Sequence, residues 1–142
     1  MLYLSSFDPT EKKRTMADRF EAHDYLLLDE FLTEEQKLMR DSLRAWLKKE
    51  VSPIIEEYYE KAQFPTQIVQ GLADHGCFGP YIPQEYGGAG VDQITYGLLM
   101  QELERVDSGV RSTSSVQSSL VMYPIWKYGT KEQKQKFLPK LA

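Results

Sequence analysis

Cysteine is almost absent from this chain. Cys77 stands alone among 142 residues, which excludes an internal disulfide and any zinc site built from cysteines. The opening Met1-Leu2-Tyr3-Leu4-Ser5-Ser6-Phe7-Asp8 is too short and too soon acidic for a secretory leader. One thiol without a leader points to a reducing compartment, so the expected location is cytoplasmic, or the mitochondrial matrix in a eukaryote. Histidine is nearly as scarce. His23 and His75 are isolated, with no ligand-spaced partner, and no metal site is expected. No apolar run exceeds four residues, as at Leu120-Val121-Met122-Tyr123, far below the ~20 that a membrane span needs. Positive charge is not in excess either. Lys+Arg 17 against Asp+Glu 21 gives net −4, which argues against a nucleic-acid partner. Lys131, Lys134, Lys136 and Lys140 face only Glu132 near the end and read as a solvated helix face.

What remains is globular composition, 42% hydrophobic and 27% charged, at a length suited to one core. Residues 1–24 are polar and aperiodic and read as a loosely ordered arm. From Thr33 the chain changes character. Thr33-Glu34-Glu35-Gln36 is a capping box, and Leu38, Met39, Leu43, Trp46 and Leu47 follow at helical spacing, which predicts a helix over 34–50. Ser52 followed by Pro53 predicts a fresh helix start, with Ile54, Ile55, Tyr58 and Tyr59 on its apolar side. A third helix begins at Phe64-Pro65-Thr66 and stops at Gly76, a natural left-handed position. Gly79-Pro80, Pro83, Gly87-Gly88 and Gly90 predict an irregular loop over 77–91. Asp92 caps a fourth helix with Ile94, Leu98, Leu99, Leu103 and Val106 inward, ending at Ser108-Gly109. A fifth is expected over 111–122, bent or broken at Pro124 and stopped at Gly129, and Thr130-Lys131-Glu132-Gln133 opens a last one. Six helical segments without a convincing strand predict an all-α, up-and-down bundle.

Two stretches could carry chemistry. Gly87-Gly88-Ala89-Gly90 has the glycines of a phosphate loop but the wrong neighbours, and a flexible turn is the plainer reading. Glu102-Leu103-Glu104-Arg105-Val106-Asp107-Ser108-Gly109-Val110-Arg111-Ser112 gathers ionisable groups around a glycine. Six of the eight residues from Ser112 to Ser119 are Ser or Thr, small side chains that let another helix or a ligand approach closely. The plainer reading is close helix packing. The functional one is the wall of a narrow pocket with Arg111 at its end, and a buried arginine needs a partner, for which Glu104 is nearest.

Gly76-Cys77-Phe78-Gly79-Pro80-Tyr81-Ile82-Pro83-Gln84-Glu85-Tyr86-Gly87-Gly88-Ala89-Gly90 resembles the loop after the third helix in acyl-CoA dehydrogenases. Gly129-Thr130-Lys131-Glu132-Gln133-Lys134 with Phe137-Leu138-Pro139 resembles their end-of-domain signature. Residues 102–122 are similar to the glutaryl-CoA dehydrogenase branch, although Val110 and Thr113-Ser114 depart from it. The resemblance implies that residues 25–142 are the N-terminal helical domain of a three-part enzyme. The β-domain and C-terminal helical domain, which bind FAD and supply the catalytic glutamate, lie outside these residues, so no catalytic residue is expected here. This chain alone is expected to be inactive. Carried over by position, Arg111 matches the arginine that holds the distal carboxylate of the substrate, Ser112 its neighbour at the substrate site, and Glu104 the acid paired with that arginine. The implied reaction is oxidation and decarboxylation of glutaryl-CoA to crotonyl-CoA, with an electron-transfer flavoprotein as acceptor and a homotetramer as the assembly. A dehydrogenase for another acyl-CoA, or a non-catalytic helical module that binds a partner, are the alternatives.

Overall fold

The computed structural model describes residues 24–142, all helix, turn and loop with no strand among them. The arm read over 1–24 falls, but for Asp24, outside the described residues. After a 3-10 turn at Leu28–Phe31 come α1 (Glu34–Trp46), α2 (Ser52–Glu60) and α3 (Val69–Asp74). The loop 77–91 follows, then α4 (Gln93–Val106), α5 (Ser108–Ser115), α6 (Tyr123–Tyr128) and α7 (Lys131–Phe137). The all-α bundle expected from the sequence is what forms. α1 packs on α4, and α4 on α5.

Local signals place most of the ends. Both capping boxes are made, the Thr33 and Thr130 hydroxyls accepting from the Gln36 and Gln133 amides while those side chains bond back. Asp92 caps α4 through the Thr95 N–H at 2.7 Å, and Gly76 takes φ +66 after α3.

Two expected breaks do not occur. α1 runs into α2 through a π-helical segment, Leu47–Val51, and α5 into α6 through another, Val116–Met122. Each precedes a proline, Pro53 and Pro124. A proline inside an α-helix leaves the carbonyl four residues back without a donor and crowds it with its ring. Widening the turn shifts the bonding to i→i−5 and passes the ring without a break: the Ser52 N–H bonds the Leu47 carbonyl, and the Tyr123 N–H that of Ser118. Ser52 is therefore no cap. It is fully buried in helical conformation. The fourth helix likewise ends at Val106, not at Ser108-Gly109. Asp107 is its extended C-cap and also caps α5, accepting from the Val110 N–H at 2.9 Å, so Gly109 opens a helix instead of closing one.

The core is built from Leu43, Leu47, Leu72, Ile82, Leu99 and Leu103 with Met122 and Leu138. Three residues read onto apolar faces are not inward: Leu38 is 70%, Tyr59 79% and Ile94 59% exposed. The loop 77–91 is a packed element and not a flexible turn. The Ser118 hydroxyl accepts from the Gly79 N–H at 2.9 Å and donates to the Ser114 carbonyl at 2.7 Å, and the Tyr81 hydroxyl donates to the Ser118 carbonyl at 2.8 Å. Gly88 lies so close to the Ile82 carbonyl that a Cβ there would overlap it.

Cys77 is completely buried, and burial pushes its thiol up to about 12. At pH 8 that leaves about 1000-fold less thiolate than a free cysteine carries. Iodoacetamide is therefore expected to spare Cys77 in the folded protein while labelling it in denaturant, as read by intact mass. Labelling of the native protein at a free-thiol rate would contradict the burial.

Candidate functional site

The corner between α4 and α5 brings two of the expected site residues together. Asp107 turns the chain within one residue, so Glu104 in the last turn of α4 faces Arg111 in the first turn of α5. Arg111 Nε donates to Glu104 Oε2 at 2.6 Å, and the Ser108 hydroxyl donates to Oε1 at 2.6 Å. The guanidinium is steadied from the other side by Ser115, whose Oγ accepts from Nη1 at 3.2 Å. Nη2 makes no hydrogen bond within the described residues. Arg111, helped by the Ser108 hydroxyl, holds the Glu104 carboxyl below its usual range. The pair is not buried here: its side chains are 36% and 47% exposed. A dry arginine site is thus not what these residues form by themselves.

Ser112 points elsewhere. One residue on from Arg111 is about 100° around the helix, and Ser112 lines a groove of about 740 Å³ with Val69, Ala73, Phe78, Val116 and Leu141. Arg111 and Glu104 lie outside that lining. The three expected residues therefore split into an ion pair on the α4 side and a hydroxyl on the groove wall. Chemically, the pair is a neutralised guanidinium with one free donor edge, suited to receive a carboxylate. It offers only a weak base, since the Arg111 guanidinium holds the Glu104 carboxyl below its usual range.

Among the described residues buried charge lies elsewhere, at Arg40, 9% exposed, and above all at Glu102. Glu102 is 1% exposed and is gripped by Arg44, Nε to Oε2 at 2.8 Å and Nη2 to Oε1 at 2.7 Å, with Arg105 Nη2 3.4 Å from Oε1. A signal for it was present: Thr95, Leu99, Glu102, Leu103 and Val106 share one face of α4, so Glu102 interrupts the apolar stripe of that helix. An aromatic group was also missed. Tyr81 meets Tyr96 edge-on at 5.3 Å and Tyr123 at 6.1 Å, and Tyr123 meets Trp126 at 5.9 Å. Desolvation among these rings pushes the Tyr81 hydroxyl up to about 12.

Neither a metal nor a dinucleotide finds a ready cradle. Among the described residues no group of three or more His, Cys, Asp and Glu could hold a metal. The loop glycines are taken up by protein: a Cβ at Gly79 would strike Met122 and Ile82, one at Gly87 would press on Pro139, and Gly88 abuts Ile82. These residues do not fit a flavin by themselves.

Comparison with known proteins agrees with the fold. Residues 33–142 match the family model for the acyl-CoA dehydrogenase N-terminal domain. An acyl-CoA dehydrogenase of Bacillus subtilis strain 168 is 37% identical over 111 residues, 78% of this chain and 29% of that protein. A glutaryl-CoA dehydrogenase from Mycobacterium smegmatis, solved with FADH2, superposes with a TM-score of 0.78 at 34% identity, covering 82% of this chain and 30% of that one. Butyryl-CoA dehydrogenase from Megasphaera elsdenii superposes with a TM-score of 0.71, also at 34% identity, covering 78% and 30%. The chain thus spans about 29–30% of the length of these relatives.

Proposed function

This chain belongs to the acyl-CoA dehydrogenase N-terminal domain family, and from that membership we propose that residues 25–142 form the N-terminal domain of an FAD-dependent dehydrogenase that oxidises and decarboxylates glutaryl-CoA to crotonyl-CoA. The observation that carries the reading is the Arg111–Glu104 pair with Nη2 left free. A substrate with a distal carboxylate satisfies that donor with a charge-assisted bond, whereas a chain ending in methyl leaves it unpaired. Glu104 fixes the plane of the guanidinium, and Ser112 contributes to the wall of the neighbouring groove. The other parts of the protein hold the flavin and supply the base, so residues 1–142 alone are inactive. The flavin's electrons pass to an electron-transfer flavoprotein, and the assembly is a homotetramer.

A second reading, a dehydrogenase for a simple acyl chain such as butyryl, is favoured by the exposure of the pair: a guanidinium that stays wet discriminates weakly. The deciding experiment is a visible spectrum of the full-length protein titrated with glutaryl-CoA and with butyryl-CoA. Bleaching of a flavin band by glutaryl-CoA, at lower concentration than by butyryl-CoA, is the expected result. Bleaching by butyryl-CoA alone would move the assignment to the second reading, and a colourless protein would leave a helical binding module.

A further inference from the structure

Beneath the first π segment lies a small cavity of about 10 Å³ lined by Arg44, Leu47, Lys48, Ser52, Glu102 and Arg105, with Val106 beside them. Three of the lining residues carry polar groups with bonding capacity to spare. Ser52 is fully buried, and its hydroxyl has no hydrogen-bond partner among the described residues. The usual remedy for a serine inside a helix, a bond to the carbonyl four residues back, is not taken, although that carbonyl belongs to Lys48. The Lys48 carbonyl is itself short of a donor. The Ser52 N–H, four residues on, bonds Leu47, and five residues on stands Pro53, which has no N–H. The third group is the Glu102 carboxylate, whose oxygens accept from Arg44 but retain further lone pairs.

Size and charge select the occupant. A volume of this order holds a single water and nothing larger. The Glu102 carboxylate is already paired with Arg44, with Arg105 beside it, and so small a space admits no hydrated ion, so the ligand is neutral. We propose that the pocket is the binding site of one structural water, which accepts from the Ser52 hydroxyl and donates to the Lys48 carbonyl and the Glu102 carboxylate. One molecule then satisfies two groups that the π turn leaves in need, and through Glu102 it joins the α1–α2 rod to α4 just before Glu104. The site is independent of the acyl group that the protein takes.

The test is a crystal structure of the full-length protein at about 1.5 Å. A density peak in the pocket at hydrogen-bond distance from Ser52 Oγ and at least one of the two acceptors is expected, and a pocket without a peak overturns the proposal. A second measurement needs no crystal. Ser52→Thr and Ser52→Val have one shape and differ in the hydroxyl alone. With water in place the threonine variant melts higher, by about 2–4 °C for one hydrogen bond. In a dry pocket the unpaired hydroxyl reverses that order, which equally overturns the proposal.

Discussion

On the proposed reading, in which the other domains cover the pair, Arg111→Ala in the full-length protein is expected to lower kcat/KM for glutaryl-CoA by about 30- to 1000-fold, the range that corresponds to the ~2–4 kcal/mol lost when one partner of a covered charge pair is removed. The same change moves kcat/KM for butyryl-CoA only a few-fold, because that chain offers nothing for the guanidinium to hold. Arg111→Lys recovers part of the loss, since lysine keeps the charge but cannot reach Glu104, Ser115 and a substrate carboxylate from one planar group. The pH profile adds a control. Glu104 has its carboxyl held below the ordinary value of 4.5, so the pair is lost only as pH falls through that lowered value. The glutaryl preference should therefore be flat from pH 6 upward with respect to Glu104. Equal losses on both substrates in Arg111→Ala would sink the assignment.

The largest effect on stability is expected at Arg44. Arg44→Met removes both hydrogen bonds to a carboxylate that is 1% exposed, and Arg105, 3.4 Å from a single oxygen, cannot replace them. Stranding a buried charge costs about 3 kcal/mol. Urea denaturation at unchanged m-value reads this directly. Adding Glu102→Leu to Arg44→Met should return at least half of the loss, because the stranded charge goes with it. Lys37→Met, at an exposed helical pair with Glu34, serves as the control and should change little. If Arg44→Met is no worse than that control, Glu102 is not the buried anchor described here.

How much of this was legible in the sequence depends on the range of each signal. Thr33, Thr130, Asp92 and Gly76 act within one turn of the chain, and each does what its residue type announced. Ser52-Pro53 was misread because a cap followed by proline at the first helical position and a proline carried past by a π turn look the same locally. The choice between them rests on packing against α4, which a local pattern does not contain. Ile94 was misplaced, and the burial of Glu102 went unread, for a related reason: the inward face was chosen by residue type, and a carboxylate matched by an arginine 58 positions away breaks that rule. The Glu104–Arg111 contact was legible in advance and does form. Its exposure was not, and neither was the divergence of Ser112 onto a separate groove.

The two π segments carry a further implication for how this fold tolerates change. Each amounts to one residue more than an α-helix of the same span requires, wound into the rod ahead of a proline. A single-residue deletion between Val116 and Met122 would let that rod rewind to 3.6 residues per turn with α6 in much the same orientation, but the Pro124 ring would then meet the carbonyl four residues back. Ile125 and Trp126 would keep their face toward the core, so the cost would fall on the backbone at the proline. Chain length inside α4, which holds no such spare residue, is the more constrained: one residue fewer there turns everything after it by about 100°.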